Sequence, residues 1–338
     1  MGAAKSGMAS ASETTWRGRA AWVLRGERLT AVVTRTGGHL AALTRNDDAA
    51  QVNPLWNPAW PAGDPRDSAA VDAGTWGPRP EAPLLAAICG SNLCLDRFGA
   101  PWPGEERPLH GEAGVTDFEA AASAPGGAAT TLAVTATLPL AGLVVRRAFA
   151  LEGDALRLTT SVELAPGQAA RRQVEWCEHT TLGDPFLDGA EITAAVDTCT
   201  ELPAAPDAPL VEFAGSIAEA LAPPPADGAP AGSVRTCRVA EGAGAWRAAN
   251  VRLGLALSAG FDRDAFPWLC LWTESRSRTH SPWAGKQRSR GMEVSTKPFP
   301  EGKPPASREA SFKGRPADCF IEVGATLTKE LVLTLERI

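Results

Sequence analysis

Tyrosine is absent from this 338-residue chain, methionine occurs three times and histidine only four times. With so few imidazoles, each can be weighed individually as acid, base or ligand. No apolar run approaches the roughly 18 to 20 residues of a membrane span, and Met1–Thr15 has no apolar core of the secretory kind. These absences predict a soluble, cytoplasmic protein with a frayed, disordered leader over 1–15 and one domain over 16–338. Cys89, Cys94, Cys177, Cys199, Cys237, Cys270 and Cys319 include no Cys-x-x-Cys pair. That scatter argues against a zinc knuckle or a disulfide framework, and for thiols packed as small apolar groups. There is no glycine-rich phosphate loop and no repeat of roughly 20 to 50 residues. The formal charge of -6 gives no general attraction to phosphate backbones or anionic lipid. Nucleic acid and membrane are therefore set aside as partners, and a small molecule is left.

What is present is enough apolar sequence for a packed core, at 44% of residues, arranged mostly with a period of two. Leu156, Leu158, Thr160, Val162 and Leu164 fall on one face of a strand, with Arg157, Thr159, Ser161 and Glu163 on the other. Leu331, Leu333 and Leu335 repeat the pattern. The segments Leu29 to Thr36, Thr131 to Leu138, Leu143 to Leu151, Val251 to Ala259 and Ile321 to Leu327 are β-compatible and separated by turn residues such as Glu152-Gly153-Asp154. This spacing predicts an all-β fold, a large antiparallel β-sandwich. Sustained helical periodicity is missing. The best short candidate, Ser216 to Leu221, runs into Pro223-Pro224-Pro225. Two Pro/Gly-rich stretches, Pro54 to Pro83 and Pro203 to Gly232, read as long connections, either site loops and lids or plain surface excursions.

Four regions hold residue types that do chemistry. His110 lies in Pro108-Leu-His-Gly-Glu-Ala-Gly114, where two glycines let the backbone turn and the imidazole face a pocket. His179 lies at an apparent strand end, in Glu178-His-Thr-Thr-Leu182, ahead of a Gly-Asp-Pro turn. His39 follows Gly37-Gly38 and precedes an apolar strand, which favours a structural role. The stretch from Trp272 through Arg276, Arg278, His280 and Trp283 to Lys286, Arg288 and Arg290 is the most basic in an acidic protein. It reads either as a site for an anionic sugar, with Arg278 as the planar fork and Trp272 as a stacking face, or as a solvated loop. Eleven tryptophans suit the C–H faces of sugar rings, although core packing accounts for the larger share of them.

Several of these segments resemble the aldose 1-epimerases, or galactose mutarotases. Leu109-His110-Gly111-Glu112-Ala113-Gly114 is similar to that family's His-Gly-x-x-Gly motif, and Asn92-Leu-Cys-Leu-Asp-Arg97 to its upstream Asn/Arg segment. Glu178-His179-Thr180-Thr181-Leu182 resembles the second-histidine motif, and Arg290-Gly-Met-Glu293-Val-Ser-Thr-Lys-Pro-Phe299 the strand that presents the catalytic glutamate. Leu29 to Leu43, turning at Gly37-Gly38, is similar to the N-terminal hairpin. The order of these segments spans residues 25 to 335. The resemblance implies a galactose mutarotase-like supersandwich that handles a carbohydrate without metal or cofactor. It makes His179 the acid and Glu293 the base of anomer interconversion, with His110, Arg97 and Asn92 on sugar hydroxyls. Two departures stand out. His-Thr-Thr-Leu lacks the aromatic-Asn continuation, and Phe261-Asp262-Arg263-Asp264-Ala265-Phe266 is only loosely similar to the substrate-binding Asp-x-x-Phe. A non-catalytic carbohydrate-binding protein of the same fold is the alternative, and a metal held by His110, His179 and Glu293 a third.

Overall fold

Along Ala155–Leu164 the alternation is realised residue by residue, with Leu156, Leu158, Thr160 and Val162 buried while the intervening side chains face outward. The same holds along Leu143–Glu152 and Thr130–Leu138. The computed structural model describes residues 11–68, 73–77, 81–101, 104–121, 130–203, 208–300 and 311–338. Within them the chain forms two large antiparallel sheets. The first has eleven strands, among which Ser91–Cys94, Cys177–Gly183, Arg288–Ser295, Trp268–Ser275 and Ala231–Val239 lie side by side in that order. The second has eight, centred on Thr326–Arg337, Ala155–Leu164 and Leu143–Glu152. Their facing sides share one apolar core, to which Leu93, Leu182, Leu271, Met292 and Val294 contribute from the first sheet. Val145, Phe149, Leu158, Val162 and Leu333 contribute from the second. Each such large side chain contributes roughly 1.5–3 kcal/mol by leaving water.

A buried ion pair crosses this core. The Arg147 guanidinium meets the Glu178 carboxylate at 2.8 Å, with side-chain exposures of 0% and 3%. Thr160 Oγ1 and Trp176 Nε1 also donate to Glu178, at 3.1 and 3.4 Å, and Arg147 donates to the Gly38 carbonyl at 3.1 Å. The pair therefore joins the second sheet to the strand Cys177–Gly183 and to the Gly37-Gly38 turn. In that turn both glycines have positive φ, of 75° and 54°, which closes the hairpin expected over Leu29 to Leu43.

Several expectations need correction. Ala11–Trp16 is a strand paired with Arg19–Arg25, so the leader does not extend to Thr15; residues 1–10 lie outside the described residues. Val251 to Leu253 form a turn, and the strand there is Leu255–Phe261, one hairpin step later. Ile321 to Leu327 is likewise divided, between Cys319–Ile321 and Thr326–Arg337. Cys199 and Cys237, directly opposite on neighbouring strands, are disulfide-bonded, because the register places their side chains on the same side of the sheet. Cys89, Cys94, Cys177 and Cys270 are buried thiols as expected. Helix is sparse. The Ser216 candidate is realised as Ile217–Leu221, closed by a reciprocal Ser216–Glu219 capping box.

The described parts of the Pro/Gly-rich stretches are anchored rather than loose. Arg288 donates to the Pro224 carbonyl, Arg290 to those of Ala220 and Ala222, and Arg276 to that of Gly228. In the other stretch, Trp56 N–H donates to Thr181 O at 2.8 Å and Gly183 N–H to Pro54 O at 3.0 Å, extending the sheet beside His179.

Replacing Arg147 with Met should leave Glu178 buried without a cation, at a cost of about 3–5 kcal/mol. Urea denaturation of R147M, E178L and the double variant is the test. The double variant should recover most of the loss, and an R147M midpoint equal to wild type would contradict the role given to this pair.

Candidate functional site

Glu178 faces the core, so His179, one residue later, faces the opposite side of the eleven-stranded sheet. Directly across from it are Asn92 on one side and Glu293 on the other. Cys270 is opposite Glu293, which makes a transverse row Asn92, His179, Glu293, Cys270. His179 Nε2 lies 3.1 Å from Glu293 Oε1, and both side chains are about 95% withdrawn from solvent. Thr181 Oγ1 lies 3.1 Å from His179 Nδ1 and fixes the ring from behind.

Burial governs the protons here. It raises Glu293 to about 8, against a smaller opposing effect of the Cys270 thiol and the Arg290 charge. It lowers His179 to about 4. At neutral pH the pair therefore holds one proton between its two groups, on Glu293, with His179 a neutral acceptor. Arg290 itself is lowered to about 10 by burial, having carbonyl and Thr273 hydroxyl partners but no contacting carboxylate.

His110 stands edge-to-face to His179, with ring centroids 5.4 Å apart. Its backbone is left-handed, at φ 63°, and Gly111 follows at φ 80° with the Leu95 carbonyl where a Cβ would come within 2.5 Å. Only glycine fits there. The Gly99 N–H donates to His110 Nδ1 at 3.0 Å, which places the ring proton on Nε2, the nitrogen left free to meet a ligand. Burial, then His179 and Arg278, hold His110 well below the ordinary histidine range.

Beyond the histidines the wall is aromatic. Trp272 lies 6.0 Å from the His179 ring, and Trp56, Trp60, Trp272 and Trp283 form a packed box. Arg278 lies over Trp283 and Trp272, at 4.6 and 5.5 Å, with a third of its side chain exposed and Glu274 at 3.6 Å. Two buried polar atoms around this space, Asn92 Oδ1 and Trp283 Nε1, have no hydrogen-bond partner among the described residues, although buried polar groups ordinarily find one.

The structure thus brings together His179, Glu293, His110, Asn92, Trp272 and Arg278. Arg97 is different. Its guanidinium is engaged by Glu105 at 2.7 Å and Asp96 at 3.1 Å, within a cluster that also ties Arg107 and Arg172 to Asp96. Its charge is already matched by these carboxylates. Half of the basic stretch is also structural, since Arg288 pairs with Asp184 and Arg290 holds carbonyls. Asp262 and Asp264 are exposed on the turn between the two sheets. From Ala231–Val239, the positions opposite Cys270 and Trp272 are Thr236 and Val234, so no carboxylate enters from that strand. His39 is wholly buried, as its structural reading anticipated, and burial lowers it to about 3. Among the described residues, no group of three His, Cys, Asp or Glu side chains converges as a metal site. A groove of about 530 Å³ lies on the solvent-facing side of the other sheet, between Thr193, Arg247, Ser258 and Thr334, and holds no acid–base pair. Thr181, Cys270, Gly291 and Trp56 were missed as site residues. The period-two rule applied backward from Glu293 and forward from His179 would have found Gly291 and Thr181.

Two packed antiparallel sheets with this order define a galactose mutarotase-like fold. Among solved structures, a candidate aldose 1-epimerase of Escherichia coli K12 superposes with a TM-score of 0.64 at 15% identity, over 94% of this chain and 99% of that one. A candidate mutarotase of Salmonella typhimurium gives 0.63 at 11% identity, over 97% and 94%. A galactose mutarotase-like protein of Clostridium acetobutylicum gives 0.62 at 12%, over 97% and 98%. No protein-family model and no curated protein matches the sequence. The likeness is one of fold.

Because Glu293 rises from 4.5 to about 8 on folding, its contribution to stability is full below about pH 4.5 and declines as pH climbs to about 8. His179, lowered from 6.5 to about 4, works in the other direction, its contribution being full above about pH 6.5 and lost toward pH 4. E293Q removes the first dependence only. The Tm of E293Q minus that of wild type should therefore grow between pH 5 and pH 8, and a constant difference would show that the carboxyl ionises normally.

Proposed function

We propose that this protein is an aldose 1-epimerase-like enzyme that interconverts the anomers of a sugar, an anionic one, by acid–base ring opening. The observation that carries the reading is the buried His179–Glu293 pair, 3.1 Å apart, beside a free His110 nitrogen. The reaction must protonate the ring oxygen, remove the proton of the anomeric hydroxyl, break the C1–O5 bond and form the C1=O1 double bond. Rotation about C1–C2 then presents the other carbonyl face, and closure returns both protons. The two reacting oxygens are bonded to the same carbon. An acid and a base that touch each other are therefore suitably spaced, with the sugar seated over both rather than between them.

The pair needs one proton in total. With His179 as acid and Glu293 as base, that proton crosses their contact before reaction; with the roles exchanged, it starts on Glu293, which holds it at neutral pH. Both routes balance, and no metal or cofactor enters either. Trp272 offers a face to the sugar's C–H groups, and Asn92 and His110 offer hydrogen bonds to hydroxyls. The local preference for an anion rests on Arg278, whose guanidinium is stacked on two indoles and partly open to solvent.

Saturation-transfer NMR on a panel of neutral sugars, sugar phosphates and uronic acids should show accelerated anomer exchange, falling at least about 100-fold in H179A and E293Q. R278M should raise KM at least about tenfold for anionic sugars and leave neutral ones nearly unchanged. Binding without exchange would identify a non-catalytic carbohydrate-binding protein instead. The pH profile is a separate check. Since the pair must carry a single proton, kcat/KM should fall below about pH 4, where both groups hold one, and above about pH 8, where neither does. A profile still flat at pH 10 would remove Glu293 from the chemistry.

A further inference from the structure

Gly291 sits in the middle of a strand bordered by a strand on each side, where glycine weakens a sheet by roughly 0.5–1 kcal/mol relative to alanine. Its φ is not left-handed, so the backbone does not require glycine there. The demand comes from side chains. A Cβ at 291 would fall well inside contact distance of Glu293 Oε1 and 3.0 Å from Trp272 Cβ.

The register explains why. Thr181 and Gly291 are direct partners, one row along from the partners His179 and Glu293 on the same face of the sheet. The imidazole leans toward Thr181, where Nδ1 meets the hydroxyl. The Glu293 carboxyl leans the same way, over Gly291, and so meets His179 Nε2 at 3.1 Å. From the opposite strand the Cys270 thiol hydrogen-bonds to the carboxyl. The row position without a side chain is the volume in which acid and base come together.

We propose that Gly291 is a positioning residue for Glu293, its missing Cβ leaving the space that lets the carboxyl fold back over the strand and face the His179 ring. The proposal rests on Glu293 being a proton-transfer group, and its test separates the two ideas. With selectively 15N-labelled histidine, the His179 Nε2 resonance at pH 7 reports its contact with the carboxyl whether or not any sugar turns over. G291A should move that resonance most of the way to its E293Q position. It should also lower the anomer-exchange kcat about 10- to 100-fold, in keeping with a misplacement of about 1 Å, with KM changed by less than about twofold. G260A is the control, because a Cβ there meets nothing within 4 Å on a strand of the other sheet; it should alter neither readout. A folded G291A with the wild-type resonance and kcat would overturn the proposal. If G291A is too unstable to study, adding Glu293→Asp, whose shorter side chain withdraws from above residue 291, should restore its Tm. Failure to restore it would assign the clash to Trp272 and overturn the proposal equally. Wild-type protein with the expected resonance pattern but no anomer exchange on any sugar would remove the enzymatic reading and leave the positioning role standing.

Discussion

Glu178 lies in the core with 3% of its side chain exposed, and Arg147 reaches it there from the other sheet, with the Thr160 hydroxyl and the Trp176 indole beside it. An ion left unmatched there would be costly, so the strand Cys177–Gly183 is held in one register. A slip of one residue would turn His179 in between the two sheets and move the carboxylate to the outer face. The outward direction of His179, and through strand pairing that of Asn92 and Glu293, depends on this contact made on the other face. The guanidinium that crosses the core also takes the Gly38 carbonyl in the turn between Leu29–Thr34 and Leu40–Arg45, so the N-terminal strands share the same reference point.

On the outer face the dominant effect is burial without a counter-ion. Glu293 has a thiol and an imidazole against it but, among the described residues, no contacting guanidinium or ammonium, and Arg290, whose charge acts on it, points to the core side of the strand. A carboxyl in such surroundings keeps its proton. The aromatic box and the anchored segment around Trp56 exclude water from the same space. The basic stretch divides its labour: Arg276, Arg288 and Arg290 fasten the Pro-rich connection, while Arg278, stacked on indoles, remains turned toward the site.

The two-sheet architecture was legible in the sequence because alternation over Thr130–Leu138, Leu143–Glu152 and Ala155–Leu164 follows directly from one face being buried. Strand ends were not, as at Val251 to Leu253, where turn residues and strand residues have similar apolar character. The histidines and Glu293 were found because their neighbourhoods resemble known motifs. The packing of Arg97 against Asp96 and Glu105 was not legible, because a guanidinium in a motif does not show which carboxylates surround it. Gly291 and Cys270 were not marked out by any motif, and Trp56 arrives from a Pro/Gly-rich segment that sequence left open between a site loop or lid and a surface excursion. The Cys199–Cys237 bond was hidden because pairing depends on register, which cysteine spacing does not encode.

The strand that carries Glu178 and His179 has a consequence for how this molecule can change over evolutionary time. Adjacent positions face different surroundings: 178 the core between the sheets, 179 the outer face, and the same interleaving holds for Met292 and Glu293 on the neighbouring strand. Substitutions on the outer face can accumulate without passing through an unfolded intermediate sequence. A scaffold built this way can drift from one ligand to another, or from turnover to simple retention, while its interior remains under unbroken constraint.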